Sequence, residues 1–429
     1  MAKRNTIIIV ILVLISVALI MKYSLEPSFI CNDEIGCVKV LPGEPVKLGV
    51  IQDLSGSASA FGVDQLNSFK IALDDWNNQI LGHPIELTIL DEKCSAEGGA
   101  NSMLRIVADS QIVGVLGTTC SGAAATASKI MSEAGLVMIS GVNSGISLTS
   151  IAGKPAKDWY PGYYRTNPNQ VLMTRGMAYF AKEELKLNKA AIVYANETYS
   201  QGCAETFKHS FTQQGGDILI EVLVTPGEKD MRPILEAISQ ADGKALFISL
   251  YPSEAILLIQ QMRKMREFDD IVLLGLESLV RDDFIKAIGE DGVGLYCSEA
   301  AQQYEDKPNK TFLTKHIKKY GENPKTALYG YAYDAANILV KTIESAAIKQ
   351  KNGSLYIGRQ ALRNTIYATS KYKGLSGILS CDSFGDLGVQ KSQVIRLNNA
   401  SEGVKGFKSN VVYSFSESNW NKHDKINHK

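Results

Sequence analysis

The sequence has no surplus of either charge. Lys and Arg together number 45, Asp and Glu together number 45, and the formal net charge is zero. Such a balance argues against a nucleic-acid-binding surface and against an acidic tail. There is no internal low-complexity tract, and an apolar share of 45% is ordinary for a globular chain. Enzyme signatures are also missing: no Walker A pattern, no Gly-x-Ser-x-Gly elbow. The glycines of GVLGTTCSG follow a strand-like run but lack the Gly-x-Gly-x-x-Gly spacing of a dinucleotide fold. The five histidines are scattered, two of them near the end, and no Cys/His cluster has zinc-ligand spacing. Neither a metal nor a cofactor is expected. Cys120 has no histidine in its local pattern that would make it a nucleophile.

What is present begins with a strand–helix–strand unit from Gln111 to Gly145. Ile112 to Leu116 and Leu136 to Ile139 are short apolar runs, each ending in a loop of Gly, Ser, Thr or Asn. Ala123 to Glu133 between them has the composition of a helix. In a parallel sheet both runs end at the same edge, where open α/β sheets bind ligands. Ser121 stands where the helix begins. It is either a simple N-cap or, with the free N–H groups of the first turn, a site for a carboxylate or phosphate.

With 429 residues, two domains or one bilobed fold are expected. Lys3 and Arg4 precede an uncharged run from Asn5 to Met21. At about 1.5 Å per residue that run falls just short of a bilayer core, and its flanks can extend it. A signal peptide and an uncleaved anchor compete. Lys22 to Ile30 has no Ala-x-Ala pattern, and Ile30 before Cys31 is a poor lipoprotein signal, so the anchor is preferred. In either case the bulk of the chain faces out of the cytoplasm. Seven cysteines fit that compartment. Cys31 and Cys37 bracket a short loop, and Cys94 and Cys120 each follow a strand, so their loops are open to bridging if those strands are neighbours. Cys203, Cys297 and Cys381 are left over.

Along the chain, strands alternate with helices twice. The first series starts at Val46 to Ile51, with a helix from Asp64 whose stripe is Leu66, Phe69, Leu73, Trp76 and Ile80. Ile85 to Leu90, a helix from Gly98 to Asp109, and the opening unit follow. KPAKDWYPGYYRTNP then interrupts the rhythm as a crossing between lobes. The second series has strands at Ala190–Tyr194, Ile218–Val224, Ala245–Ser249 and Ile271–Leu274. Helices from Pro308 to Thr369 return to the first lobe, and the last strands, Gly377–Ser380 and Val389–Leu397, are expected in the second. This is α/β organisation with parallel sheets covered on both faces.

The loops after these strands hold the candidate chemistry. Tyr199, Tyr251 and Glu277 follow strands of the second series, and Phe61, Ser121 and Ser144 hold equivalent places in the first. Hydroxyls, aromatics and one carboxylate facing across a cleft suit a small zwitterion. Ser121 with helix-end N–H groups would hold its carboxylate. Glu277, Ser144 and a backbone carbonyl would hold its ammonium.

LGVIQDLSGSASAFG, DEKCSAEGGA, GTTCSGAAATAS, VMISGVNSGISLT, NETYSQG, SLYPSE, LLGLES and SFGDLG occur in an order that resembles the periplasmic branched-chain amino-acid binding proteins. These are the type I solute-binding components of ABC transporters. The resemblance covers about Val46 to Tyr413. It implies two Rossmann-like lobes joined by three crossings, near 163–168, 296–299 and 375–380. It implies a Cys94–Cys120 bridge, a carboxylate site at Ser121, and an ammonium site at the Val142 backbone, Ser144 and Glu277. Tyr199, Tyr251 and Phe61 become cleft aromatics. The bulk of Val142 narrows the room for a side chain.

The chain is therefore expected to divide as follows. Residues 1–25 are the anchor or signal segment, and 26–45 a tether with the Cys31–Cys37 loop. Residues 46–165 with 298–376 form one lobe, 166–297 with 377–414 the other, and 415–429 a polar tail. The expected activity is binding of an amino acid, branched-chain or otherwise aliphatic, by a monomer that delivers it to an ABC permease and its ATPase. The alternatives are an amino-acid sensor acting with a separate receptor, and an enzyme on a similar scaffold. No nucleic acid is involved.

Overall fold

The computed structural model describes residues 30–416, apart from 152, 242, 302–305 and 390. The expected membrane segment and most of the polar tail lie outside the described residues. Among the described residues no helix is long and apolar enough to cross a membrane.

Ile112–Gly117 is buried at every position, which is what a strand covered on both faces requires. It belongs to a six-stranded sheet. The parallel strands of that sheet lie in the order His83–Asp91, Val46–Gln52, Ile112–Gly117, Met138–Ser140, Tyr163–Arg165. In chain order this is second, first, third, fourth, fifth. On one face Leu48 and Val50 pack with Phe69 and Leu73 of helix Ser59–Asp75 and with Leu339 of helix Tyr329–Ala346. On the other, Ile51 and Val115 pack with Met103, Ile106, Ala127 and Met131.

A seven-stranded sheet repeats the plan. Asp217–Val224, Lys189–Ala195, Ala245–Ser249, Val272–Leu276 and Tyr296–Ala300 run parallel in the same relative order. Lys391–Arg396 and Val411–Ser416 extend it antiparallel. Its two faces are covered by separate apolar clusters, one around Leu235, Ile238 and Leu258, the other around Phe180, Phe207 and Phe211. In each sheet the strand order reverses between the first and third strands. Loops leaving those strands' carboxyl ends form a crevice, where ligands bind such sheets.

Several boundaries differ from the sequence reading. The first helix begins at Ser59 rather than Asp64 and stops at Asp75. Asn77 and Asn78 take left-handed φ values of 54° and 53° there, which ends the helix. Residues 37–40 are not tether. Cys37–Val40 pairs antiparallel with Leu355–Gly358, and Val38 and Val40 enter the first core. The Cys31–Cys37 disulfide closes the loop beside this strand. Within it Asp33 accepts the backbone N–H groups of Gln360 and Ala361 at 2.9 and 3.0 Å. These sit in the first turn of helix Arg359–Tyr367, so a distant carboxylate caps that helix. The expected second-lobe segment from 377 also moves. Leu379 and Leu387 lie in the first lobe's core, and Asp334 of helix Tyr329–Ala346 accepts from the N–H groups of Leu375 and Ser376. The last crossing therefore falls between Leu387 and Lys391. Tyr296–Ala300 stays in the second sheet through Ala300, past the expected boundary at 298. Phe415, expected in the tail, is buried in the last strand.

The first and last crossings are held together by one buried ion pair. Arg165 is wholly inaccessible and pairs through Nε with Asp386, itself 3% exposed. Arg165 Nη1 donates to the Gly145 carbonyl at 2.7 Å, and Nη2 to Thr149 Oγ1 at 2.6 Å. Backbone bonds run both ways, from Arg165 N–H to Gly385 O and from Leu387 N–H to Arg165 O. Removing the carboxylate would leave a guanidinium buried without its counter-charge. Asp386→Ala should lower folding stability by about 3–5 kcal/mol, measured by urea denaturation. A loss below about 1 kcal/mol, the range of an exposed pair, would show that water reaches the site.

Candidate functional site

The crevice holds a pocket shared by the two lobes. Its wall includes Phe61, Ser121, Val142, Ser144, Tyr199, Tyr251 and Glu277, all seven residues singled out from the sequence. Ala58, Thr119, Cys120, Ser278 and Leu328 complete it.

On the first lobe, Cys120 occupies the cap position of helix Ser121–Glu133 without a side-chain cap bond. Ser121 is thus not the N-cap. Its Oγ accepts the N–H of Gly145 at 3.1 Å, which joins the loops that leave the third and fourth strands. Gly145 is required there, since a Cβ would lie 2.7 Å from Ser121 Oγ. Beneath the loop, Glu92 Oε1 accepts the N–H groups of Thr119 and Cys120 at 3.1 and 2.7 Å. Burial pushes the Glu92 carboxyl well above its ordinary value; those two N–H groups oppose the shift and the nearby Asp53 charge adds to it. The Cys94–Cys120 disulfide staples the same loop. Cys203 and Cys297 are buried free thiols, and Cys381 is a partly buried one. The Val142 carbonyl accepts from Asn167 Nδ2 at 2.7 Å. A carbonyl has two lone pairs, so one acceptor position remains in principle.

On the second lobe, Tyr199 lies in the first turn of helix Thr198–Gln213. Glu197 fixes that turn by accepting the N–H groups of Tyr199 and Ser200. Tyr251 precedes helix Pro252–Met262. The two rings stack with centroids 5.9 Å apart. Among the described residues the buried Tyr199 hydroxyl has no hydrogen-bond partner. Glu277 opens a 3-10 turn directly after strand Val272–Leu276.

Glu277 is where the lobes meet. Ser144 Oγ donates to its Oε1 at 3.4 Å and Gln170 Nε2 donates to its Oε2 at 2.9 Å. Burial pushes its carboxyl up to about 7, with the Glu299 charge adding and the Gln170 and Ser144 donors opposing. Among the described residues no lysine or arginine lines the cavity. The ring of Phe61 carries the guanidinium of Arg281 from the other lobe, 4.9 Å above its centre. Arg281 also makes an isolated bridge with Thr326, whose N–H donates to Asp64 at 2.6 Å.

Sequence reasoning missed Leu328, Ser278 and Gln170. Leu328 precedes the helix at Tyr329, far along the chain from any loop of the first series, and nothing local marks it. Ser278 follows Glu277 directly, and the rule that looked just past each strand reaches it. Gln170 lies beside Asn169, the side-chain N-cap of helix Gln170–Glu183, but no motif marks the glutamine itself.

A sequence profile described as periplasmic binding protein matches residues 45–402. A Leu/Ile/Val-binding protein of Rhizobium johnstonii is 25% identical over 308 residues, covering 70% of this chain and 79% of its own. The crystal structure of a leucine binding protein from Thermotoga maritima superposes with a TM-score of 0.74 at 23% identity, covering 87% of this chain and 99% of that one. A branched-chain amino-acid transporter substrate binding protein from Streptococcus pneumoniae, in complex with isoleucine, gives 0.70 at 21% identity, with coverage of 87% and 99%.

The raised Glu277 value has a consequence for the ligand-free protein. Its folded-state value, about 7, lies above the unfolded one, so the stability it contributes is full below the unfolded value. That stability is lost as the pH rises through about 7. Glu277→Gln is neutral throughout. It should match the parent chain near pH 5 and exceed it at pH 8 by about 2–3 kcal/mol, read from urea denaturation at both pH values. A stability difference that ignores pH would contradict a buried, titrating carboxyl.

Proposed function

This chain belongs to the periplasmic binding protein family, and we propose that it captures an α-amino acid between its lobes and delivers it to an ABC permease. One observation carries the reading. Ser121 Oγ on one lobe and the Glu277 carboxylate on the other face the same cavity, with Ser144 between them. A zwitterion satisfies both. Its carboxylate takes the Ser121 hydroxyl and the first-turn N–H groups of the helix, where the dipole favours an anion. Its ammonium takes Glu277, Ser144 and the Val142 carbonyl. With one acid and no base among the described residues of the wall, a ligand that lacks a positive group is disfavoured.

The side chain then meets Phe61, Tyr199, Tyr251, Leu328 and Ala58. Those walls suit an aliphatic group, and Val142 limits its bulk, which supports a branched-chain or similar amino acid. The relatives' names point the same way. Closure is favoured by such a ligand because only the closed form brings Ser121 and Glu277 to one molecule. The closed form is what the permease would read. In the same reading residues 1–25 hold a monomer at the membrane with both lobes outside.

Glu277→Ala should weaken amino-acid binding by about 2–5 kcal/mol, the range for a buried charged partner, and unchanged affinity by calorimetry would sink the assignment. An ammonium needs the ionised carboxylate, and the ligand-free group holds its proton up to about pH 7. Affinity should therefore rise from pH 5.5 to pH 8. At pH 6.5 binding should release a proton, seen as a binding enthalpy that varies with the ionisation enthalpy of the buffer.

A further inference from the structure

The ring of polar groups around Glu277 contains one side chain whose hydrogen-bonding capacity is half used. Gln170 is fully buried. Its side-chain N–H reaches Glu277 Oε2, and its backbone N–H donates to the Ser144 carbonyl, each at 2.9 Å. Ser144 donates through Oγ to Glu277 Oε1. Gln170, Ser144 and Glu277 thus close a ring in which each carboxylate oxygen has a donor. Among the described residues Gln170 Oε1 has no partner. A buried amide oxygen without a donor is costly, and such exceptions call for a reason.

The placement of Gln170 is imposed by its neighbour. Asn169 Oδ1 accepts the N–H of Val171, and Asn169 Nδ2 donates to the Ser150 carbonyl. The helix therefore starts where the chain crosses between lobes, with Gln170 as its first residue. A half-turn of the amide presents either an N–H or a carbonyl to the same neighbour. An ionised Glu277 takes the N–H. A protonated Glu277 can donate to Oε1 instead. A hydrocarbon offers neither partner, and an acid or a base of this size fits one form only.

We propose that Gln170 is a positioning residue for Glu277, holding the carboxyl in register with Ser144 in both its proton forms so that the pair meets a ligand ammonium together. This rests on the reading of Glu277 as the ammonium partner. The other titratable groups facing Glu277 are Glu299, whose charge opposes ionisation, the Tyr199 phenol, and the Cys203 and Cys297 thiols. Glu299 is itself paired with Lys408 at 3.2 Å. The Gln170 N–H is the strongest of the interactions that favour the charged form.

The test uses the ligand-free chain first. Stability is measured from pH 5 to pH 9 in the parent, Gln170→Met, Glu277→Gln and the double variant. Gln170→Met conserves volume, and the midpoint of the stability loss, which lies halfway between the unfolded and folded values of Glu277, should move up by about half a pH unit. In both Glu277→Gln backgrounds the step should vanish. Gln170→Glu keeps the side-chain shape should the Met variant not fold; its added charge should move the midpoint in the same direction. The second arm titrates L-leucine by calorimetry. Gln170→Met should bind about tenfold more weakly at pH 6.5, where the parent site is largely ionised by the ligand, and lose less at pH 8.5. An unmoved midpoint in both Gln170 variants overturns the inference. A moved midpoint in a chain whose parent binds none of a panel of L-amino acids supports Gln170 and overturns the ligand reading.

Discussion

The site depends on a charge pair that does not touch it. Arg165 and Asp386 are buried together where the first and last crossings meet. From Arg165 a bond runs to the Gly145 carbonyl, and the Gly145 N–H runs on to Ser121 Oγ. The next residue back, Ser144, reaches Glu277 on the opposite lobe. A guanidinium suits this position because its fixed fork serves several acceptors at once. Breaking a buried pair on one side is far more damaging than replacing both partners. The loop geometry at the cavity and the joint between the lobes are therefore set by the same interaction.

The electrostatics of the cavity are lopsided in a way that has chemical content. Among the described residues the wall holds one acid, Glu277, with Glu299 behind it, and no basic side chain. On the first lobe positive potential comes from the start of helix Ser121–Glu133, as oriented N–H groups rather than as a side chain. Glu92 takes the N–H groups of Thr119 and Cys120 just before the helix and so fixes where the loop hands over to it. The two ends of the cavity thus ask for opposite charges at a short separation. In the proposed binding mode the ligand's carboxylate meets dipoles, which carry no proton to lose, and its ammonium meets a buried acid, whose proton is the one that must leave.

Much of the fold was legible because parallel strands buried on both faces are uninterrupted apolar runs. Ile112–Gly117 and Ala245–Ser249 were found that way, as were the loops behind them. Helix starts were less legible. The helix at Ser59 has no side-chain cap, and Ser59, Ala60 and Gly62 of its first turn carry no periodic signal, so its apolar stripe shows only further on. Cys37–Val40 reads as tether because four residues flanked by prolines and a short disulfide loop carry no periodic signal. It is a strand only because Leu355–Gly358, more than three hundred positions later, supplies its hydrogen-bond partner. The last crossing was misplaced for a related reason. Leu379 and Leu387 are apolar in either lobe, and the carboxylate of Asp334 on a distant helix decides which one they join.

By itself the sequence determined the two strand–helix series and the small polar residues at the strand ends. It also determined that one acid, two tyrosines and two serines stand at those ends. These are local properties, written in apolar runs and in the loops that stop them. Only the tertiary structure decided that all of them face one cavity, that Leu328 joins them, and that Ser121 is held by Gly145 instead of capping its helix. It also decided that Glu277 meets Gln170 and loses enough water to keep its proton near neutrality. Desolvation and hydrogen-bond partnership belong to the packed surroundings of a residue, and those come from parts of the chain that no local pattern can name.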